Sequence, residues 1–123
     1  MIILLDEHIS CEKFYVISNI DDIKNTKSNS VVIFDYDKDL MVYCLQNNVP
    51  FAVNVKTIPE IIYSNSLNAR YIFPITDTPQ LIETAQKLAD NYMFDSKIIA
   101  RIQDSNEIEY YSLKEIDGVI FIK

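Results

Sequence analysis

The stretch VKTIPEI, Val55 to Ile61, is where an apolar run gives way to a helical pattern, and it has two echoes. They are ITDTPQL, Ile75 to Leu81, and IQDSNEI, Ile102 to Ile108. Each sets an aliphatic residue, then a Thr or Asp, then a Glu or Gln three residues later. A helix start leaves backbone N–H groups without partners. A Thr or Asp at the N-cap accepts one, and the Glu or Gln reaches back to another. Thr57 with Glu60, Asp77 with Gln80, and Asp104 with Glu107 fit this capping box. Pro59 and Pro79 fall in the first helical turn, where the missing N–H costs nothing. The repetition marks successive strand-to-helix junctions rather than a repeated active site.

Working outward, short runs rich in Ile, Val, Phe and Tyr recur at 2–5, 14–18, 31–34, 51–55, 71–73, 97–102 and 119–122. Most lack apolar–polar alternation, as expected of strands buried on both faces of a parallel sheet. Between them lie segments with helical period. In 78–94 the apolar residues Leu81, Ile82, Ala85, Leu88, Ala89, Tyr92 and Met93 form one stripe. The segments 39–47, 59–67 and 106–116 are shorter candidates. From residue 30 the order is therefore strand, helix, strand, repeated to the C-terminal run.

This predicts a single α/β domain over 1–123: a three-layer, mostly parallel sheet with helices on both faces, Rossmann-like or flavodoxin-like. The first thirty residues differ. About eight residues separate the first two runs, too few for a crossover helix. That leaves two alternatives, an N-terminal hairpin or a second run that is not a strand. Residues 20–24 are a short helical turn at best.

Composition bounds the function. The chain has 123 residues, 49% of them apolar, and a formal charge of −7. Its eleven basic residues are scattered, which disfavours nucleic acid and anionic membrane surfaces as partners. No run approaches the length of a membrane span. MIILLDEH lacks a basic region, so an unexported, cytoplasmic protein with reduced Cys11 and Cys44 is expected. No cofactor is expected. Gly118 is the single glycine. Phosphate-cradling loops need several, so a Walker loop, a dinucleotide fingerprint and a nucleophile elbow are absent. His8 is the single histidine, and Asp6, His8 and Cys11 match no zinc spacing.

One stretch has chemical flavour: VVIFDYDKDL, Val31 to Leu40, in which an apolar strand ends in Asp35 and Asp37. In extended chain these carboxylates share a face and a pair of this kind can hold Mg²⁺. The stretch resembles the first motif of haloacid-dehalogenase-like phosphatases. That resemblance implies Asp35 as nucleophile, Asp37 as acid/base, and Mg²⁺ as cofactor. Lys38 and Asp39 stand where that family has Gly and Thr. The alternative is a strand end with Asp37 as a helix N-cap.

A second resemblance spans more chain. IILLDEH, VVIFDYD, VPFAVNV and NARYIFPI are similar, in order, to the strands of response-regulator receiver domains. It implies Asp6 and Glu7 at the acidic pair, Asp35 as phosphoacceptor, and Asp6 with Asp35 as metal ligands. Val55 stands where Thr or Ser is expected and Phe73 where Lys is expected, so the phosphorylation site is incomplete.

The expected function is thus a non-catalytic α/β binding or interaction module, receiver-like in layout. The alternative is a Mg²⁺-dependent phosphoryl-transfer enzyme using Asp35 and Asp37. Parallel sheets place ligands at the C-terminal ends of their strands, against helix N-termini. Asn54, Lys56, Thr76, Asp77, Arg101 and Gln103 are the ligand- or anion-binding candidates there by position. Eight tyrosines, Tyr110 and Tyr111 adjacent among them, suit a protein interface. The C-terminal VIFIK, if it lies on a sheet edge, offers a strand for self-association or a protein partner.

Overall fold

The computed structural model describes residues 1–9, 12–27, 29–75 and 80–122. Its elements follow in the order β1 (Ile2–Leu4), β2 (Lys13–Val16), α1 (Ile20–Ile23), β3 (Ser30–Asp35), α2 (Lys38–Gln46), β4 (Phe51–Val55) and α3 (Ile58–Ser66). They continue with β5 (Tyr71–Pro74), α4 (Gln80–Asn91), β6 (Lys97–Ile102), α5 (Glu107–Leu113) and β7 (Gly118–Phe121). Among the described residues no helix is long and apolar enough to cross a membrane.

All seven strands join one sheet in the order β1-β7-β6-β5-β4-β3-β2, and every pairing is parallel. The α/β class and the parallel sheet are those the sequence predicted. The N-terminal hairpin is not formed. β1 pairs with β7, Leu4 opposite Ile120, whereas β2 pairs with β3, Phe14 opposite Val31. The two strands that chain proximity would join stand at opposite edges. Nor is β7 an edge: it lies between β1 and β6, so Gly118–Phe121 has no free side for another chain.

The sheet is curled. On a flat sheet β1 and β2 would stand about 29 Å apart, at roughly 4.8 Å per strand. The nine residues from Leu4 to Lys13 reach at most about 32 Å even fully extended, and they must also return from one end of the sheet to the other. A turn within them, with the Ile9 N–H donating to the Asp6 carbonyl, shortens the reach further. The curl brings the Phe14 ring of β2 to 5.9 Å from the Tyr71 ring of β5, where flat strands would be about 14 Å apart. At the same end Glu12 pairs with Arg70 and accepts from the Tyr71 hydroxyl at 2.6 Å.

Two apolar clusters result. The larger gathers Val32, Phe34, Val53, Ile72, Ala100 and Val119 from the strands with Leu40, Met41, Ile61, Ile82 and Ala85 from the helices. The smaller consists of strand residues alone, Leu4, Val31, Ile33, Ala52, Tyr71, Phe73, Ile99 and Ile120, enclosed by the curl. β3 to β7 are buried on both faces, hence their continuous apolar runs, whereas β2, at the sheet edge, leaves Lys13 and Val16 exposed.

The ends of α2, α3, α4 and α5 share one device. Asn48, Asn68, Met93 and Glu115 take positive φ of 55, 67, 54 and 58° just after α2, α3, α4 and α5. The next N–H, of Val49, Ala69, Phe94 and Ile116, donates to the carbonyl of Cys44, Ser64, Ala89 and Tyr111 at 2.9 to 3.1 Å. This is the Schellman closure, normally built on glycine. Each residue after the turn is apolar and packs into the larger cluster. The one glycine serves elsewhere. A Cβ at Gly118 would meet the Ile2 carbonyl oxygen at 2.7 Å and the Ile99 Cδ1 at 2.8 Å. Its absence lets β1 dock on β7.

Candidate functional site

Strand alternation decides which side chains reach the C-terminal edge of the inner face. On β3 the inward positions are Val31, Ile33 and Asp35; on β4, Ala52 and Asn54; on β5, Tyr71 and Phe73; on β6, Ile99 and Arg101. Apolar residues fill the lower positions, and a polar residue caps β3, β4 and β6. The register sets Asp35 opposite Asn54 and Asn54 opposite Phe73.

These caps are joined. Asn54 Nδ2 donates to Asp35 Oδ1 at 2.9 Å, and Arg101 Nη2 donates to Asn54 Oδ1. The Arg101 guanidinium carbon sits 5.9 Å from the centre of the Phe73 ring, within cation–π range. Arg101 Nε is buried with no hydrogen-bond partner. Burial pushes the guanidinium down from its ordinary value, and the Asp35 charge works against that shift. The result is a partly desolvated cation held by one amide, over an aromatic face, beside a single carboxylate. The cation coupled to Asp35 is Arg101, from β6.

The other candidates are placed as follows. Asp37 is the N-cap of α2 and accepts from the Leu40 N–H at 3.1 Å. Its carboxylate is thus engaged by the helix, and Asp35 is engaged by Asn54. Asp6 lies two residues beyond β1, which stands five strand positions from β3, and accepts from the His8 N–H at 2.7 Å. Among the described residues no group of three or more His, Cys, Asp or Glu side chains is placed to hold a metal ion. The exposed Lys56 donates its backbone N–H to Glu60 Oε1 at 2.8 Å. Gln103 donates its own to Glu107 Oε2 at 2.8 Å. Thr76, Asp77 and Cys11 lie outside the described residues.

The capping box forms at α3 with a local variation and only by half at α5, where the N-cap is Asn106 and makes no side-chain cap bond. Thr57 caps α3, accepting from the Glu60 N–H, while Glu60 reaches back one residue further than expected, to Lys56. At α5, Glu107 accepts from the Asp104 N–H at 3.0 Å and Asp104 Oδ1 from the Asn106 N–H at 2.8 Å. The first turn there is tight, with the Glu107 N–H donating to the Asp104 carbonyl, so the regular helix begins three residues later. The Asp77 box lies outside the described residues.

Two open hollows lie along the same edge. One, of about 370 Å³, lies at the ends of β1, β7 and β6 and is lined by Asp6, Glu7, His8, Gln103 and Phe121 among others. The second, also about 370 Å³, lies at the ends of β2 and β3 with Asn19, Asp21, Asp37 and Asp39. Neither is lined by Arg101. Sequence reading named Asn54 and Arg101 by position but missed their hydrogen bond and its extension from Asn54 to Asp35. The available signal was the shared step at which Asp35, Asn54 and Arg101 interrupt three apolar strands. Comparison of the chain with protein-family models and with curated proteins gave no match.

Proposed function

We propose that the chain is a cytoplasmic, non-catalytic α/β binding module whose ligand contacts Arg101 at the C-terminal edge of the sheet. The observation that carries this reading is the state of Arg101. A guanidinium seated over Phe73, with a buried and unpartnered Nε, is a costly way to finish a strand. A hydrophobic residue there would extend the inner cluster at no such cost. The group that best repays the cost is a planar, singly charged oxyanion such as a carboxylate, on a small molecule or a protein partner. Asp35 already offsets part of the guanidinium charge, which disfavours a polyanion. The engagement of Asp37 as a helix cap supports a binding role over phosphoryl transfer.

The test is thermal unfolding of wild type and Arg101→Gln in acetate, benzoate, phosphate and chloride at equal ionic strength. A ligand at a hundredfold excess over its dissociation constant adds about 2.7 kcal/mol to the folded state. That is roughly 10 °C in midpoint for a domain of this size. A rise in a carboxylate for wild type, lost in Arg101→Gln, is expected. Equal midpoints in all four salts, with Arg101→Gln unfolding later than wild type, would show Arg101 to be only a burdened core residue.

A further inference from the structure

The apolar stripe that the sequence carries on to Tyr92 and Met93 does not stay in the core. α4 ends at Asn91, and the turn after it leaves Tyr92 and Met93 71% and 85% exposed. Met93 also sits in the left-handed region, at φ 54°, where glycine would fit without strain. A large apolar pair held in solvent at a strained turn points to a contact outside the chain. The turn beneath the pair is fixed. Phe94 packs into the larger cluster and donates its N–H to the Ala89 carbonyl at 2.9 Å. Buried Ser96 donates through Oγ to the Ala69 carbonyl at 2.5 Å and through its N–H to Asn65 Oδ1 at 3.3 Å. Tyr92 and Met93 thus form a preorganised apolar knob.

The Ser96 bonds set this knob beside a hollow. Asn65 and Ala69 flank Leu67 in the chain, and Leu67 lines an open hollow of about 230 Å³ with Cys44, Leu45, Val49, Pro50 and Phe51. The hollow lies at the C-terminal ends of α2 and α3, on the same N-terminal edge of the sheet as the knob. It is smaller than the usual small-molecule site and suits an inserted side chain. Among the described residues, none from α4 or the turn after it lines the hollow, so the knob does not fill the hollow of its own chain. Arg70, which pairs with Glu12, stands at the hollow, and the exposed Asp95 follows the knob.

We infer that this edge is a homodimer interface in which the Tyr92 and Met93 knob of each copy enters the hollow between α2 and α3 of the other. A knob and a hollow side by side on one edge are exchanged by a two-fold axis passing between them, so one contact fills both and the assembly closes as a dimer. The same exchange sets the acidic flank of the knob, Asp95, against the basic rim of the hollow, Arg70. The interface lies at the opposite end of the strands from Arg101 and stands or falls independently of it. The test is sedimentation velocity of the full chain between about 1 µM and 1 mM, a span of transient to firm association. Wild type is expected to pass from monomer to dimer and stop there. Met93→Gly removes the main part of the knob while easing the turn, so its dimer weakens although its monomer unfolds no earlier. Leu45→Lys, at a partly exposed helical position, puts a charge into the hollow. Each variant damages both contacts of its own dimer, and its dissociation constant rises about a hundredfold, at about tenfold per contact. Mixed in equal amounts, the two variants regain one contact, between the intact knob of the Leu45→Lys chain and the intact hollow of the Met93→Gly chain. The mixed dimer is then about tenfold tighter than either variant forms alone. Arg101→Gln dimerises as wild type does. A wild type monomeric throughout, a dimer that survives both substitutions, masses that grow beyond the dimer, or a mixture no tighter than its components would overturn the inference.

Discussion

Gly118→Ala tests how β1 is held. Gly118 does not have positive φ, so alanine is conformationally permitted and the effect is steric. The added Cβ would sit 2.7 Å from the Ile2 carbonyl oxygen, 2.8 Å from Ile2 Cβ and 2.8 Å from Ile99 Cδ1. Two of these neighbours belong to β1, one of them backbone, so the clash is relieved only by moving the strand. Overpacking of this kind costs about 1–3 kcal/mol. The lower entropy of the unfolded alanine chain returns about 0.4–1 kcal/mol. The net expectation is a loss of about 1–2 kcal/mol, or roughly 4–8 °C in midpoint. β1 is three residues long and borders only β7, so detaching it alone is the cheapest relief. Urea unfolding followed by far-ultraviolet circular dichroism measures the loss. Amide exchange then shows whether Ile2–Leu4 and their partners open before the rest. A variant as stable as wild type, with protected β1 amides, would refute the close-approach argument.

Two further outcomes follow from local structure. Met93 is 85% exposed and has φ of 54°, so Met93→Gly removes left-handed strain without losing packing. It should stabilise the fold by about 1 kcal/mol, read as a higher urea midpoint at unchanged slope. The Cys44 thiol is fully buried, and burial pushes it up from 9.0 to about 11. The unfolded chain ionises first, so this group's contribution is intact below about pH 9 and is lost as pH rises towards 11. About 2–3 kcal/mol is at stake. The difference in stability between wild type and Cys44→Ala should therefore shrink across that window, and a constant difference would contradict the burial argument.

The repeating units were legible because their signals are local. The apolar run of β4, the Thr57 cap and the stripe of α3 lie within sixteen residues, Phe51 to Ser66. A cap or a helical stripe works through neighbours a few residues away. The ends of the helices were less legible because Asn48, Asn68, Met93 and Glu115 do work usually given to glycine. Only the two asparagines carry a compositional hint. Asp37 was visible as a cap from its position before the apolar period of α2. The Asp35–Asn54–Arg101 chain was visible only as three residues at strand ends. Its hydrogen bonds span 19 and 47 residues of sequence, and nothing local encodes them.

By itself, the sequence determined the α/β class, the starts of α2 and α3 and the two-sided burial of the central strands, because period, capping and composition act over one or two turns of chain. Tertiary structure alone decided that β1 leaves its neighbour β2 for β7, where Ile2 lies opposite Gly118, 116 residues on. The three residues of β1 carry no preference among partners. The pairing is set by the space that a missing Cβ leaves at Gly118 and by a connection too short for a flat sheet. The same curl turns Asp35, Asn54 and Arg101 from separate strand ends into one hydrogen-bonded group above Phe73.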